Sequence, residues 1–362
     1  MKIAKELNSI ALDITEPQYR QMPELSYSTL STYMTLGYNG LDHLFDKKDS
    51  PSLTVGSAVD AWITGGEEEF KSLFSVVDIP SIGDKEKMIA NLLYQYYADT
   101  YKQLSAIPAT YILNVANSLN FQKNWRDDTR VKVITERCSQ YYAAKIESGS
   151  KTILDTKTFE DVQNMAMALK ESPSTCTYFA ENDAMSPIKR YYQLKFKAEL
   201  KNVGYRCMAD LLVADYENKV IYPCDLKTSL SCYEWDFEQN FVKWHYFIQA
   251  RLYWRIIRDN MDRDSYFKDF TLENYRFIII NPKTLTPLVW EFPLTKEQGE
   301  LITDDGEVIK DPLDIGKELR SYLDLKPPVP YGIDINGINT IRCIHKAPSI
   351  NELTRTVKIT NY

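Results

Sequence analysis

The stretch Tyr205-Arg-Cys-Met-Ala-Asp210, followed by Ile221-Tyr-Pro-Cys-Asp225-Leu-Lys227-Thr228, decides how this chain reads. Asp225 and Lys227 stand two residues apart in a run with strand character, so both project from one face. A tight turn containing Glu217 and Asn218 joins strands over Tyr205–Asp215 and Lys219–Leu226, which brings Asp210 beside them. Two carboxylates and an ammonium group at the end of an apolar strand suit phosphodiester hydrolysis. Asp210 and Asp225 supply hard oxygen ligands for Mg2+ or Mn2+, and the Leu226 carbonyl can add another. Such a metal polarises a phosphoryl oxygen and lowers the pKa of bound water. Lys227 can orient that water, offset charge on the phosphate, or accept a proton if its pKa is depressed. Taken alone, Asp-Leu-Lys is a weak signal, since most such triplets are solvated charges or local ion pairs of little consequence.

Outward from this hairpin, Tyr191–Leu200 alternates polar and apolar residues and predicts a preceding strand, with a turn at Asn202–Gly204. Asp236–Arg258 has helical spacing throughout and predicts one long helix. Asn274–Ile280 and Leu288–Phe292 read as two more strands, and Thr295–Leu301 and Ile315–Leu323 as helices. Pro327, Pro328 and Pro330 mark a stiff surface connection. Upstream, residues 1–23 read as an irregular arm closed by Pro23. Ser26–Tyr38 reads as a short helix capped by Ser28, and Asp46–Ser52 as a polar turn. Thr54–Thr64, Asp84–Gln103, Tyr111–Phe121 and Val131–Ile146 are further helical segments, with a strand open at Val131–Ile134. Over Asp155–Leu169 one helical face carries Phe159, Val162, Met165, Ala166 and Leu169. The order predicts an α/β fold, with α+β as the alternative, built on a mixed central sheet flanked by helices and carrying a helical insertion. The expected division is an arm over 1–23, one domain over 24–330 with the insertion at about 67–188, and an extension over 331–362.

The 362 residues are 44% hydrophobic and 26% charged, enough for a substantial core. A formal net charge of -7 argues against broad, non-specific coating of nucleic acid but allows a local basic groove. The six cysteines form no Cys-x-x-Cys pair, which fits a reduced, intracellular chain without a closed zinc or iron–sulfur site. The N-terminus has no signal-peptide core, and no run reaches membrane-spanning length. His43, His245 and His345 lack zinc-site spacing. No dinucleotide fingerprint or phosphate-binding loop is present.

Two further patterns flank the acidic pair: Gln249-Ala-Arg-Leu-Tyr253 on the long helix, and Thr54-Val-Gly56-Ser-Ala-Val-Asp60 on an early one. Gln249 and Tyr253 are four apart and share a helix face, where core packing is the plain alternative. With Leu25-Ser-Tyr-Ser-Thr-Leu30 before them, these segments resemble the PD-(D/E)XK nuclease superfamily, and within it the RecB-like branch and the phage RecE-like exonucleases. Asp210 and Asp225-Leu-Lys227 match the motif that names the superfamily. Gln249 and Tyr253 match QxxxY. Gly56 and Asp60 match GxxxH, with aspartate where histidine is usual. The resemblance covers roughly residues 24–64 and 190–292.

The resemblance implies a restriction-endonuclease-like core and an Mg2+- or Mn2+-dependent deoxyribonuclease, with Asp210, Asp225 and Lys227 catalytic. The metal would be held by Asp60, Asp210, Asp225 and the Leu226 carbonyl. Gln249 and Tyr253 would shape the DNA cleft, and Arg206 would contact phosphate or form an ion pair. The function expected is a DNA exonuclease acting on linear duplex or processed ends in phage-type recombination, replication or DNA processing. A phage recombination partner, homo-oligomers and a cytoplasmic site in an infected bacterial host go with that expectation; a membrane does not. The alternatives are an endonuclease of the same fold, or a catalytically weak DNA-binding or virion structural protein. Glu199 is a candidate near the metal. Lys189, Arg190, Lys195, Lys197 and Lys201, with Tyr191 and Tyr192, can track a phosphate backbone or form an ordinary exposed strand face.

Overall fold

A computed structural model describes residues 3–45, 50–79, 82–231, 233–294, 301–302 and 308–325. In chain order the helices and strands are α1 (Glu16–Arg20), α2 (Tyr27–Leu36), α3 (Pro51–Thr64), α4 (Gly66–Leu73), β1 (Phe74–Val77), α5 (Asp84–Tyr97), α6 (Ala109–Ser118) and α7 (Asp127–Ser148). There follow β2 (Thr152–Asp155), α8 (Thr156–Glu171), α9 (Cys176–Phe179), β3 (Ile188–Leu200), β4 (Val203–Asp215) and β5 (Val220–Thr228). The last are α10 (Glu234–Lys243), α11 (Tyr246–Arg263), β6 (Thr271–Leu272), β7 (Tyr275–Ile280), β8 (Pro287–Phe292), β9 (Leu301–Ile302), β10 (Val308–Ile309) and α12 (Pro312–Leu325). The chain forms two compact units, Met1–Ser50 with Ala168–Tyr362, and Pro51–Met167.

The first unit is built on a mixed sheet of order β3-β4-β5-β7-β8, with β6 beside β5. Pairing is antiparallel from β3 to β5 and between β7 and β8, but parallel between β5 and β7. A parallel neighbour requires a crossover, and α10 and α11 supply it. α11 packs on β3 and β4. Its Ile248, Ala250, Leu252, Ile256 and Ile257 are fully buried in one core with Phe196, Tyr205, Cys207, Phe277 and Ile279 of the sheet. The result is a mixed α/β fold with a central sheet flanked by helices, as the sequence predicts.

Several local expectations are corrected. Ser26, not Ser28, caps α2, its hydroxyl accepting the Thr29 N–H. The β3–β4 turn sits at Lys201 and Asn202, both with positive φ, as a two-residue hairpin loop requires. The 236–258 helix is two helices, broken at Trp244 and His245, where His245 takes a left-handed φ of 56°. Apolar periodicity alone cannot reveal such a break. The N-terminal arm is not irregular throughout. It contains α1, closed by a Thr15–Gln18 capping box. Just beyond the arm, Leu25 pairs with β4: its N–H donates to the Gly204 carbonyl and its carbonyl accepts the Arg206 N–H, both at 2.9 Å.

The second unit has a core of α5, α6 and α7, with Ile89, Leu93, Ile112, Ala116, Ile134 and Tyr142 buried together. Residues 131–134, where a strand reading stayed open, are helical. β1 and β2 form a short parallel ladder that the sequence did not predict, since four-residue strands offer too little alternation. The expectations for 46–49, 295–300, Cys232 and everything beyond 325 lie outside the described residues; Leu301 is in a strand. Among the described residues, no helix is long and apolar enough to cross a membrane.

Candidate active site

The site is built where β5 changes neighbour. Its ladder with β4 ends at Leu211–Cys224, and its ladder with β7 begins at Cys224–Arg276. Beyond Cys224, β4 and β5 part, and the residues that follow are Asp210 and Asp225. A side chain fills the fork: Asp210 Oδ2 accepts the Leu226 backbone N–H at 3.1 Å. That satisfies a donor left over where the ladder opens.

Asp225 and Lys227 stand opposite Phe277 and Ile279, on the sheet face covered by α11. The Asp225 side chain is 1% exposed and that of Lys227 22%. Asp225 Oδ2 lies 2.7 Å from Lys227 Nζ, an ionic contact without hydrogen-bond direction. Its other oxygen, Oδ1, accepts a hydrogen bond from Gln249 Nε2. Gln249 Oε1 is buried and has no hydrogen-bond partner.

Tyr246, Gln249 and Tyr253 follow helical spacing along α11. Lys227 Nζ lies 5.1 Å from the centre of the Tyr246 ring, within cation–π range. Burial alone would lower the Lys227 pKa. The Asp225 charge outweighs it, helped by Tyr246, Asp210 and Tyr27, and holds the group well above the ordinary lysine value. In the metal-free protein this direction favours the ammonium form of Lys227 over the base. Burial also drives the Tyr253 and Tyr275 hydroxyls upward, and the Asp225 and Asp210 charges add to the effect in both.

The geometry thus brings Asp210, Asp225, Lys227, Gln249 and Tyr253 together. Tyr27, Tyr246 and Tyr275 join them and were not singled out from the sequence. Tyr246 precedes Gln249 by one helical turn, a usable signal. Tyr275, 1% exposed, has an edge-on contact with Tyr253 at 6.5 Å, and its hydroxyl has no partner. Only the β5–β7 register reveals it.

Hard oxygens are the donors present. Among the described residues no group of three or more His, Cys, Asp or Glu side chains forms a metal-holding cluster. Two carboxylates are nevertheless a usual complement for Mg2+, which keeps several waters and takes its other oxygens from substrate phosphate. The buried Asp225 Oδ2, without a hydrogen bond, fits such a cation.

A family model described as "PDDEXK-like domain of unknown function (DUF3799)" matches residues 35–272, more than half of the chain. The chain belongs to this PDDEXK-like family. No curated protein sequence matches it. A crystal structure of a candidate exonuclease from Eubacterium rectale is 15% identical and covers 88% of this chain and 85% of that one. Its TM-score of 0.40 is too low to carry an argument.

The PDDEXK-like match takes in Asp60, Asp210, Asp225, Lys227, Gln249 and Tyr253. Asp60 lies half-buried on α3, in the second unit, and its carbonyl accepts the Thr64 hydroxyl at 2.9 Å. Arg206 is buried at 6% exposure, donates from Nη1 to the Tyr19 carbonyl, and has its guanidinium 4.9 Å from the Tyr19 ring centre. That is an internal partner, not a cation held out to solvent. Several basic residues in and beside β3 also have partners within the protein. Lys189 donates to the Asp183 carbonyl at 2.6 Å, Arg190 to that of Thr177 at 2.7 Å, and Lys201 to Asp314 at 2.8 Å. Glu199 is exposed at the end of β3. His245 Nδ1 lies 3.1 Å from the Ser31 hydroxyl, a hydrogen bond between α2 and the α10–α11 break.

Proposed function

We propose that this protein is an Mg2+- or Mn2+-dependent deoxyribonuclease, an exonuclease of the RecB-like, RecE-like kind acting on linear duplex or processed DNA ends. Residues 24–330 are read as one nuclease domain, with a helical insertion at about 67–188, an arm over 1–23 and an extension over 331–362. One observation carries the reading. At the fork between β4 and β5, Asp210 accepts the Leu226 N–H while Asp225 is held between the Lys227 ammonium and the Gln249 amide.

Asp210 and Asp225 would hold the cation, with the Leu226 carbonyl as a further oxygen donor. Bound there, the cation supplies Lewis acidity to the phosphodiester and to water. Lys227, an ammonium throughout the neutral range, stabilises charge that grows on the phosphate and orients the attacking water by donating to it. Gln249 fixes the Asp225 carboxylate so that Oδ2 faces Lys227. The Tyr246 ring limits the positions open to the ammonium. Tyr253 shapes the DNA side. Arg206 supports this site from inside, by holding the arm at Tyr19 against β4. A role in phage-type recombination, with a phage partner protein, rests on the RecB-like and RecE-like resemblance as a whole.

The purified full chain, given labelled linear and closed-circular DNA with Mg2+ or Mn2+, is expected to digest the linear form alone and to stop when chelator is added. Cutting of closed circles would replace the exonuclease with an endonuclease. DNA binding without metal-dependent cleavage would overturn the enzymatic reading.

A further inference from the structure

Asp210 sits at an irregularity in the sheet. The registered pairs of β3 and β4 step from Tyr192–Leu211 directly to Leu194–Ala209, and Gln193 and Asp210 occupy the step between. Gln193 has a φ of 51°, a left-handed conformation in the interior of a strand. A residue with a Cβ adopts it at a cost, and strands otherwise avoid it.

The sheet changes face at this step. On β4 the core is lined by Tyr205, Cys207 and Ala209, then by Leu212 and Ala214. On β3 it is lined by Phe196 and Ala198, with Leu194 against it, and then by Tyr191. Both strands pass from one alternation to the other across Gln193 and Asp210. A regular strand of period two cannot do this. The register on either side is unchanged, so no residue has been inserted. The left-handed residue stands at this change.

The consequence falls on Asp210. In unbroken alternation Ala209 and Leu211 would share the core face, with Asp210 on the opposite one. Ala209 is in the core shared with α11, yet Asp210, one step beyond the Leu211–Cys224 pair, falls across from Asp225, whose partner Phe277 lies in that same core. The change of face is what lets both neighbours turn that way. Local strain of this sort gathers where a side chain must be re-aimed.

We propose that Gln193 is a positioning residue, whose left-handed backbone turns the β3–β4 ribbon over at Asp210 and aims that carboxylate at the Leu226 N–H and the Lys227 site. The proposal rests on the nuclease reading for its purpose, but its geometry can be tested apart from it.

Three full-length variants separate backbone from side chain. Gln193→Gly accepts positive φ freely, Gln193→Asn tolerates it, and Gln193→Val opposes it. The first readout is hydrogen exchange at the Leu226 amide in metal-free protein. Gly and Asn are expected to keep the protection and Val to lose it, while protection elsewhere in β7 and α11 is retained. The second is Mn2+ affinity by calorimetry, expected within about twofold of wild type for Gly and Asn and weakened about tenfold or more for Val. If Gln193→Val does not fold, Gln193→Ala takes its place with a loss in the same direction. Unaltered Leu226 protection in Val or its replacement, or an equal loss in Gly, overturns the proposal. A wild-type chain that neither binds Mn2+ nor cuts DNA sinks the nuclease reading alone, because the Leu226 exchange still decides the role of Gln193.

Discussion

Gln249 donates a hydrogen bond from Nε2 to Asp225 Oδ1, joining α11 to β5 within the buried layer between helix and sheet. A buried carboxylate needs such a donor, and a hydrogen bond to a charged group contributes about 1.5–3 kcal/mol. Removing it leaves the Asp225 charge with Lys227 alone.

Gln249→Leu keeps the bulk and deletes the donor. We expect Mn2+ affinity to fall by about tenfold, since groups that orient a ligand matter nearly as much as the ligand. Calorimetric titration of the metal-free chain checks this. Wild-type affinity in the variant would show that Gln249 does not orient Asp225.

Lys227→Ala should lower cleavage by about a hundredfold or more, the scale for losing one group that stabilises transition-state charge. Titration of the side chain adds a sharper test. The Lys227 pKa is raised by Asp225 against the effect of burial, so the ammonium persists as pH rises through the range where ordinary lysines titrate. In the metal-free protein, NMR titration of the Lys227 side chain should therefore show no deprotonation below about pH 10. Deprotonation between neutral pH and that value would contradict the ammonium role.

Tyr275 has a buried hydroxyl without a partner beside two carboxylates. An unsatisfied buried polar group costs about 1–3 kcal/mol. Tyr275→Phe should leave the melting temperature of the metal-free protein unchanged or raise it, as read by calorimetry. A clear fall would mean that the hydroxyl has a structural partner.

Asp311 holds two arginines of α11. Its oxygens lie 2.9 Å from Arg251 Nη2 and 2.7 Å from Arg255 Nη1 and Nη2. Asp311→Ala leaves two guanidinium groups in the interior and should destabilise the protein by about 3–5 kcal/mol. Burial alone would raise the Asp311 pKa. The Arg255 hydrogen bonds and charge outweigh it, with the Leu313 N–H and Arg251, and the net value falls below the ordinary 3.8. A depressed folded-state pKa contributes stability that is complete above the unfolded value and lost as pH falls through the folded one. The wild type should therefore lose this contribution only on the acid side of about pH 4, and Asp311→Ala should flatten that limb. Denaturant melts over pH 2–7 measure both effects.

The central hairpin was legible because alternation and a turn are local properties. Tyr205–Asp215 and Lys219–Leu226 needed no distant partner to be recognised, and the spacing of Asp225 and Lys227 places them on one face. The break at His245 was not legible, because both halves of 236–258 carry the same apolar period and only packing selects the angle between them. The partners of Arg206 and Lys189 were also hidden, since a basic residue on a strand reads alike whether it meets solvent or a carbonyl.

Sequence alone determined the strand–strand–helix–strand order and the chemical kinds gathered near Asp210, Asp225 and Lys227, because side-chain type and periodicity are written residue by residue. The tertiary structure decided what those groups meet: the fork where β5 exchanges β4 for β7, the Gln249 amide on Asp225, Tyr275 beneath them, and the turned face at Gln193. Each depends on residues far apart in the chain, or on a backbone angle that no side chain at that position announces. Pairing register and close packing select them only once the whole sheet has formed.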